Sequence, residues 1–185
     1  MTKKETQLEK TEEKEIFRIS EADPHFKYEV SKIPGAEKLM LCFQCGTCTA
    51  DCPVARFSGS YRPIQILRMA QLGMKERVLS SDDIWLCATC FTCTDRCPQG
   101  VEFASVLRAL RNMAVEEGII PPGFKEIASI VLKTGLANEI TKLRLKKRQE
   151  AGLPPLPGSN PERIAKLAEI VGFSKIIEKK ETKNV

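Results

Sequence analysis

The chain has 185 residues, 42% of them hydrophobic, and a formal net charge of +5 at pH 7. This length suits one domain of roughly 100–200 residues with an extension, and no segment reaches the ~18 apolar residues that a membrane span requires. The modest cationic excess, spread over a chain rich in both signs, is weak support for nucleic-acid binding. The single histidine, His25, is more typical of a turn or surface position than of a metal ligand.

The N-terminal part carries no visible chemistry. Residues 1–15 are almost wholly charged or polar and predict a flexible arm, because they bury too little apolar area to offset the entropy of ordering. They contain no apolar signal segment, so the sequence predicts a cytoplasmic protein. Partial alternation over residues 16–33 predicts a short strand or extended segment. Pro34 then opens a short helix that delivers the chain to Cys42.

Two short runs contain all eight cysteines. They read CFQCGTCTADCPV, from Cys42 to Val54, and CATCFTCTDRCPQ, from Cys87 to Gln99. Each run has the spacing CxxCxxCxxxCP, and each cysteine of the second lies 45 positions after its counterpart in the first. The two runs are therefore an internal repeat.

This spacing predicts two 4Fe-4S clusters. Three thiolates at two-residue intervals wrap one corner of such a cluster, and the fourth, followed by proline, lies beyond the reach of that wrap. In two-cluster bacterial ferredoxins the fourth cysteine ligates the other cluster. The predicted ligands are Cys42, Cys45, Cys48 and Cys97 for the first cluster and Cys87, Cys90, Cys93 and Cys52 for the second.

Zinc and disulfides are the two structural alternatives for these cysteines. A structural zinc site usually takes two separated pairs of cysteine or histidine, not a triplet followed by Cys-Pro. A disulfide framework belongs to secreted proteins, which this N-terminus does not suggest. Both alternatives are weaker than the iron-sulfur interpretation.

Helical signals fill the space between the two motifs. Pro63 opens a helix over 64–72, with Ile64, Leu67 and Ala70 on one face, and Gly73 closes it. Ser80 or Ser81 caps a third short helix that leads to Cys87, and Ser80 with Asp83 resembles a capping box. The aromatic residues around the motifs are predicted to shield the clusters from water: Phe43, Trp85 and Phe91.

The C-terminal half is predicted to be helical as well. The strongest periodicity spans residues 102–117, and a second amphipathic helix follows over 122–135. Asn138 is predicted to cap a basic helix over 139–151, whose lysines and arginines include Lys142 and suit an acidic partner, nucleic acid or a solvated face. A proline-stiffened linker over 152–158 precedes a last helix, which starts at Asn160-Pro161 and ends at Gly172. A lysine-rich tail follows this helix. This helix either docks on a partner or packs on its own core.

The predicted architecture is mainly α, with a helical dicluster ferredoxin domain over 16–151, a flexible arm over 1–15 and an extension over 152–185. A cluster held by four cysteines has no open position for substrate, so its expected work is one-electron transfer. The sequence has no dinucleotide fingerprint, phosphate loop or Ser/His/Asp set, and no catalytic residue is assigned.

The doubled motif, together with IQILRMAQLGMKERVLSSDDIWLCATCFTCTDRCPQGV, resembles the C subunit of the soluble heterodisulfide reductase of methanogenic archaea. The resemblance is strong over residues 16–118 and looser beyond. It implies an alpha-helical ferredoxin that ligates two 4Fe-4S clusters through the eight cysteines. It also implies electron relay from a flavin-containing subunit to the subunit that reduces the mixed disulfide of coenzyme M and coenzyme B, with flavin-based electron bifurcation and a hydrogenase or formate dehydrogenase as donor.

Two other functions stay open from the sequence alone. The iron-sulfur subunit of a glycerol-phosphate or succinate-type flavin-linked dehydrogenase shares the helical domain, although most succinate-type subunits add a plant-like ferredoxin part that is absent here. A cluster-containing nucleic-acid or regulatory module is favoured only by the basic helix near Lys142.

Overall fold

The structure is a computed structural model that describes residues 17–156 and 158–178, and within these residues it contains helices and no strand. The predicted mainly α fold is confirmed. The arm predicted over 1–15 and most of the C-terminal tail lie outside the described residues. The α-helices are α1 (Phe26–Ser31), α2 (Thr47–Ala50), α3 (Pro53–Phe57), α4 (Pro63–Gln71), α5 (Lys75–Leu79), α6 (Thr92–Asp95), α7 (Phe103–Glu116), α8 (Pro122–Thr134), α9 (Lys142–Glu150), α10 (Pro161–Ile170) and α11 (Phe173–Glu178).

Helix α7 lies at the centre of the core. Phe103, Val106, Leu107 and Leu110 recur at helical spacing and are all buried, which places one side of the helix against α1, α5 and α6. The helix gives way to Gly118, whose φ of +85° suits glycine. The helix predicted over 102–117 is thus confirmed, and it packs beside both cysteine motifs.

Helix α4 and the turn after it are also confirmed. Pro63 occupies the first turn, and Gly73 has a φ of +76°. The buried face, however, is rotated from the prediction: Ile66 is buried with Leu67 and Ala70, whereas Ile64 is only half-buried. The short helix α5 was not predicted.

The extended segment predicted over 16–33 is wrong. A 3₁₀ helix, Ile19–Glu21, precedes α1, in which Phe26 and Val30 lie one turn apart and are both fully buried. Burial of this pair against α4 and α7 favours a helical turn over the local alternation of the sequence.

The caps differ in detail from those predicted. Ser81, not Ser80, caps the 3₁₀ helix Asp82–Trp85, because its hydroxyl accepts the Asp83 N–H. The capping box is wrong, since Ser80 donates to the Glu76 carbonyl instead. Helix α9 likewise begins three residues later than predicted, capped by the Thr141 hydroxyl rather than by Asn138.

The C-terminal helices pack on their own chain. Helix α8, Pro122–Thr134, agrees with the helix predicted over 122–135, and Gly135 follows it as the cap. Helix α10 begins at the predicted Asn160 cap, whose Oδ1 accepts the Arg163 N–H at 3.0 Å. Helices α10 and α11 both contact α8, and Ala168 is buried. Part of α10 nevertheless faces solvent, through Leu167 and Ile170. Among the described helices, none combines the length and apolar character needed to cross a bilayer.

Candidate metal-cluster site

The backbone of the first cysteine motif contains two residues in the left-handed conformation. Cys42 follows a 3₁₀ helix, Glu37–Leu41, and the chain then turns at Gln44 (φ +63°) and Gly46 (φ +84°). Helix α2 carries Cys48, and Cys52 precedes Pro53, the first residue of α3. This conformation turns the cysteines toward one side of the loop.

The second motif repeats this backbone. Cys87 follows the 3₁₀ helix Asp82–Trp85, and positive φ values recur at Thr89 (+53°) and Phe91 (+62°), each 45 positions after its counterpart. A β-branched or aromatic residue adopts this conformation only at a cost of about 1–2 kcal/mol. The surrounding structure therefore imposes the wrap on a sequence that does not favour it.

The eight cysteines line two open cavities. The first is lined by Cys42, Cys45, Cys48 and Cys97, with Cys93 also at its wall. The second is lined by Cys52, Cys87, Cys90 and Cys93. Each triplet thus shares a cavity with the final cysteine of the other motif, because α2 packs against α6.

The thiols differ in exposure and in pKa. Cys45 and Cys90 are exposed, and hydrogen bonding to Thr47 and Thr92, respectively, lowers the pKa of each. Burial raises the pKa of the Cys48 thiol to about 11, and it also raises that of its repeat counterpart Cys93. Each cavity is therefore lined by one exposed thiol of lowered pKa and at least one partly buried thiol of raised pKa.

Hydrogen-bond donors point at several sulfurs. Gln44 Nε2 lies 3.4 Å from Cys42 Sγ, the Thr89 N–H donates to Cys87 Sγ at 3.3 Å, and the Val101 N–H donates to Cys97 Sγ at 3.2 Å. Such donors stabilise negative charge on sulfur. They are a feature that the cysteine spacing did not reveal.

Two long side chains hold the motifs in place at equivalent positions. Gln71 on α4 donates through Nε2 to the carbonyls of Leu39 and Cys42, both at 3.1 Å. Arg111 on α7 donates to the carbonyls of Ile84, at 2.7 Å, and Cys87, at 3.2 Å. The sequence analysis did not identify these two residues. A signal was present, because Gln71 and Arg111 lie 40 positions apart, as do the first residues of α4 and α7.

A buried hydroxyl without a partner faces the second cavity. Tyr61 is fully buried and lines this cavity, yet its hydroxyl makes no hydrogen bond of acceptable geometry. Its pKa is raised above the ordinary range by burial and then by the Cys87 thiol, with smaller effects of Cys52 and Cys93. An unsatisfied buried hydroxyl costs about 1–3 kcal/mol. Four thiols, peptide N–H donors to sulfur and an unsatisfied buried hydroxyl are surroundings that fit a sulfur-rich group.

The predicted aromatic shield is only partly present. Phe91 lines the second cavity, but Phe43 is 58% exposed and lies outside both cavity walls. Trp85 is half-buried and packs on Phe124 of α8 with ring centroids 5.1 Å apart. It supports the loop from outside instead of covering a cavity.

Comparisons with known proteins identify the group. A 4Fe-4S dicluster domain family matches residues 38–101, which include all eight cysteines. The chain is 35% identical to the C subunit of the H(2):CoB-CoM heterodisulfide,ferredoxin reductase of Methanothermobacter marburgensis, over 89% of this chain and 91% of the relative. The chain belongs to the family of heterodisulfide reductase C subunits. It is an iron-sulfur, electron-transfer protein that binds two 4Fe-4S clusters, and neither zinc nor disulfides explain its cysteines.

Other members of the family match this chain over most of their own length. The iron-sulfur C subunit of the CoB--CoM heterodisulfide reductase of Methanopyrus kandleri is 35% identical over 88% of this chain and 91% of its own length. The C subunit of the Ferredoxin:CoB-CoM heterodisulfide reductase of Methanosarcina mazei is 37% identical over 81% of this chain and 93% of its own length. The similarity thus extends well beyond the two cysteine motifs.

Proposed function

We propose that Cys42, Cys45, Cys48 and Cys97 hold one 4Fe-4S cluster and that Cys87, Cys90, Cys93 and Cys52 hold the other. The grouping of thiols around the two cavities carries this proposal, because Cys97 lies at the first cavity and Cys52 at the second. Cys93 borders both cavities, but its motif spacing pairs it with Cys87 and Cys90. Crossed ligation would fasten each cluster to both repeats.

The chain's own residues do the work of binding and insulation in this proposal. All eight thiols are used as ligands, so no thiol is left for covalent chemistry and no coordination position is open to a substrate. A bound 4Fe-4S cluster supplies one-electron transfer. The peptide N–H groups of Thr89 and Val101 stabilise the ligating sulfurs, and Gln71 and Arg111 hold the loops that carry them.

The relay would operate inside a hetero-oligomeric CoB-CoM heterodisulfide reductase in the cytoplasm. A flavin-containing subunit would deliver electrons to this chain, and a disulfide-reducing subunit would receive them and reduce the heterodisulfide, with bifurcation at the flavin. The names of the relatives above support the substrate, and eight unbridged cysteines suit a reducing compartment. We propose a hydrogenase or formate dehydrogenase as donor, although the relatives' names differ on this point, one including H(2) and another ferredoxin as the partner of the reductase.

Anaerobic co-purification with native partners, iron counting and spectroscopy test the proposal. We expect about eight irons per chain from two four-iron clusters, recovery with flavin-bearing and disulfide-reducing subunits, and no sustained heterodisulfide reduction by the isolated chain. Cys97→Ser should perturb the cluster that Cys45→Ser perturbs. If it perturbed the cluster affected by Cys90→Ser instead, the crossed ligation would be wrong, and turnover by the isolated chain would overturn the relay.

A further inference from the structure

The two cavities are built from equivalent positions that carry different residues. Tyr61 and Val101 each lie two residues before the first residue of a core helix, α4 or α7, and Tyr61 lines the second cavity where Val101 lines the first. Gln71 and Arg111 hold equivalent carbonyls of the first and second motifs. The repeat therefore permits a position-by-position comparison of the two environments.

Tyr61 gives the second cavity a donor that the first lacks. Its ring is fully buried, and its hydroxyl makes no hydrogen bond of acceptable geometry in the described part of the chain, although the Cys87 thiol lies near enough to raise its pKa. Its backbone N–H is already bonded to Ser58 Oγ at 3.1 Å, so only the hydroxyl remains to be satisfied. Val101 presents an apolar side chain at the equivalent place.

Arg111 places a positive charge at the second motif, where the equivalent Gln71 of the first motif is neutral. Its guanidinium donates to the carbonyl of Cys87, whereas the amide of Gln71 donates to the carbonyl of Cys42 without carrying charge. Arg111 is half-buried and also lies over the Trp85 ring, 5.8 Å from its centroid. Partial burial reduces the screening of its charge by water.

The remaining donors differ less between the cavities. Gln44 Nε2 approaches Cys42 Sγ, and the Thr89 N–H, at the equivalent position, approaches Cys87 Sγ. The first cavity has one further peptide donor, from Val101 to Cys97 Sγ. Against this single neutral donor, the second cavity has the Tyr61 hydroxyl. The cations beside the two motifs differ in place: the Arg111 guanidinium donates to the Cys87 carbonyl, whereas Lys38 Nζ lies beside Gly100, outside the walls of the first cavity.

We propose that the Tyr61 hydroxyl donates a hydrogen bond to a sulfur of the cluster in the second cavity and that Tyr61 and Arg111 together make it the higher-potential cluster. Reduction adds one electron and hence one negative charge, which a hydrogen-bond donor and a nearby cation both stabilise. A single electron delivered to the pair then resides at the second cavity. This inference rests on the proposed cluster sites.

Potentiometric titration of the reconstituted protein, followed by electron paramagnetic resonance, tests the role of Tyr61. Cys45→Ser and Cys90→Ser first assign the two signals, because these cysteines belong to different triplets whichever way the fourth ligands cross. Tyr61→Phe should then shift the second cluster's ratio of oxidised to reduced form about threefold to tenfold toward oxidised at a fixed potential, where tenfold is ~59 mV for one electron. The first cluster should not change. Tyr28→Phe, at the other tyrosine of the chain, is the matched control.

A fluorinated tyrosine provides a second variant that keeps the ring in place. Incorporation of 3-fluorotyrosine into the Tyr28→Phe chain labels Tyr61 alone and makes its hydroxyl a stronger donor, so the second cluster should shift toward reduced, opposite to Tyr61→Phe. If the Tyr61→Phe protein loses iron, the fluorinated chain provides the test of the donor role. Unchanged potential of the second cluster in the fluorinated chain would overturn the donor role.

Arg111 variants separate charge from loop positioning. Arg111→Gln gives the second motif the neutral side chain that the first motif has at the equivalent position, and it should lower the potential of the second cluster. Arg111→Lys keeps the positive charge, so the potential of the second cluster should stay close to that of the wild type. The control is Arg108→Gln, an exposed cation on the same helix. Equal shifts in Gln and Lys variants, or a wild-type second cluster that is reduced after the first, would overturn the inference. About eight irons with correctly assigned signals would show that the cluster sites stand even then.

Discussion

Arg96 of the second cysteine motif forms an ion pair with Asp51 of the first, with Nη1 and Oδ2 3.4 Å apart. Asp51 precedes Cys52 and Arg96 precedes Cys97, so the paired residues occupy the same position of the two repeats with opposite charge. The contact joins the two short helices α2 and α6 where the final cysteine of each motif lies beside the other motif's cavity.

Reversing one charge of this pair should destabilise the junction modestly. Because the Arg96 side chain is 62% exposed, the pair is worth about 0.2–1 kcal/mol, and Asp51→Arg should lower the free energy of unfolding by about 1 kcal/mol through added repulsion. The double variant Asp51→Arg/Arg96→Asp should recover most of the loss. Anaerobic urea unfolding measures this cycle. Glu150→Lys, which breaks the surface pair with Lys146 on α9, serves as control, and an unrecovered double variant would contradict a direct interaction.

Gly73 should tolerate no side chain. Its φ is +76°, and a Cβ atom there would overlap the carbonyl oxygen of Asp23, whose N–H donates to the Gly73 carbonyl at 2.8 Å. Gly73→Ala should therefore lower the free energy of unfolding by roughly 2–4 kcal/mol through backbone strain and displacement of the segment before α1.

Thermal unfolding under anaerobic conditions measures this change. The matched control is Gly59→Ala, since a Cβ atom at Gly59 has nothing within 4 Å. A Gly73→Ala protein as stable as the Gly59→Ala protein would show that the turn between α4 and α5 does not depend on the left-handed residue.

The iron-free chain should show graded thiol reactivity. Alkylation requires thiolate; exposure and a lowered pKa favour Cys45 and Cys90, whereas burial and a pKa of about 11 at Cys48 leave that thiol protonated at pH 8. Since the lowered pKa values keep Cys45 and Cys90 ionised to lower pH, their advantage should grow as the pH falls from 9 to 7. Mass spectrometry after timed alkylation measures the order, and urea should abolish it. Uniform reactivity without urea would mean that the loops lose this arrangement when iron is absent.

The C-terminal extension should be dispensable for cluster binding. A chain ending at Ala151 removes α10 and α11, which contact α8 and supply none of the residues that line either cavity. We expect about eight irons per chain and a lower unfolding temperature, because the α8 face is uncovered. Ile164→Asp in the full chain is the variant matched to this truncation. It disturbs the same contact without removing the helices, since Ile164 reaches toward Gly135 at the end of α8. Loss of iron on truncation would show that the domain over 16–151 is not self-sufficient.

Long periodic segments were predictable, and short or ambiguous ones were not. Helix α7 was predictable because its apolar residues recur at helical spacing and Gly118 marks its end; these residues are Phe103, Val106, Leu107 and Leu110. The region around Phe26 and Val30 alternates like a strand, yet tertiary burial of this pair makes it helical. The predicted start of α9 is wrong by three residues because Asn138 and Thr141 are both good caps, and the local sequence does not choose between them.

The sequence by itself determined the number and type of cluster ligands, because thiolates at two-residue intervals suit a 4Fe-4S cluster wherever the chain carries them. Only the tertiary structure decided what surrounds each set of thiols. Arg111 reaches carbonyls 24 to 27 positions away, and Tyr61 faces Cys87 across the fold. Such contacts depend on how α4 and α7 pack beside the loops, which no local spacing records. The repeat predicts two alike sites, and packing makes them different.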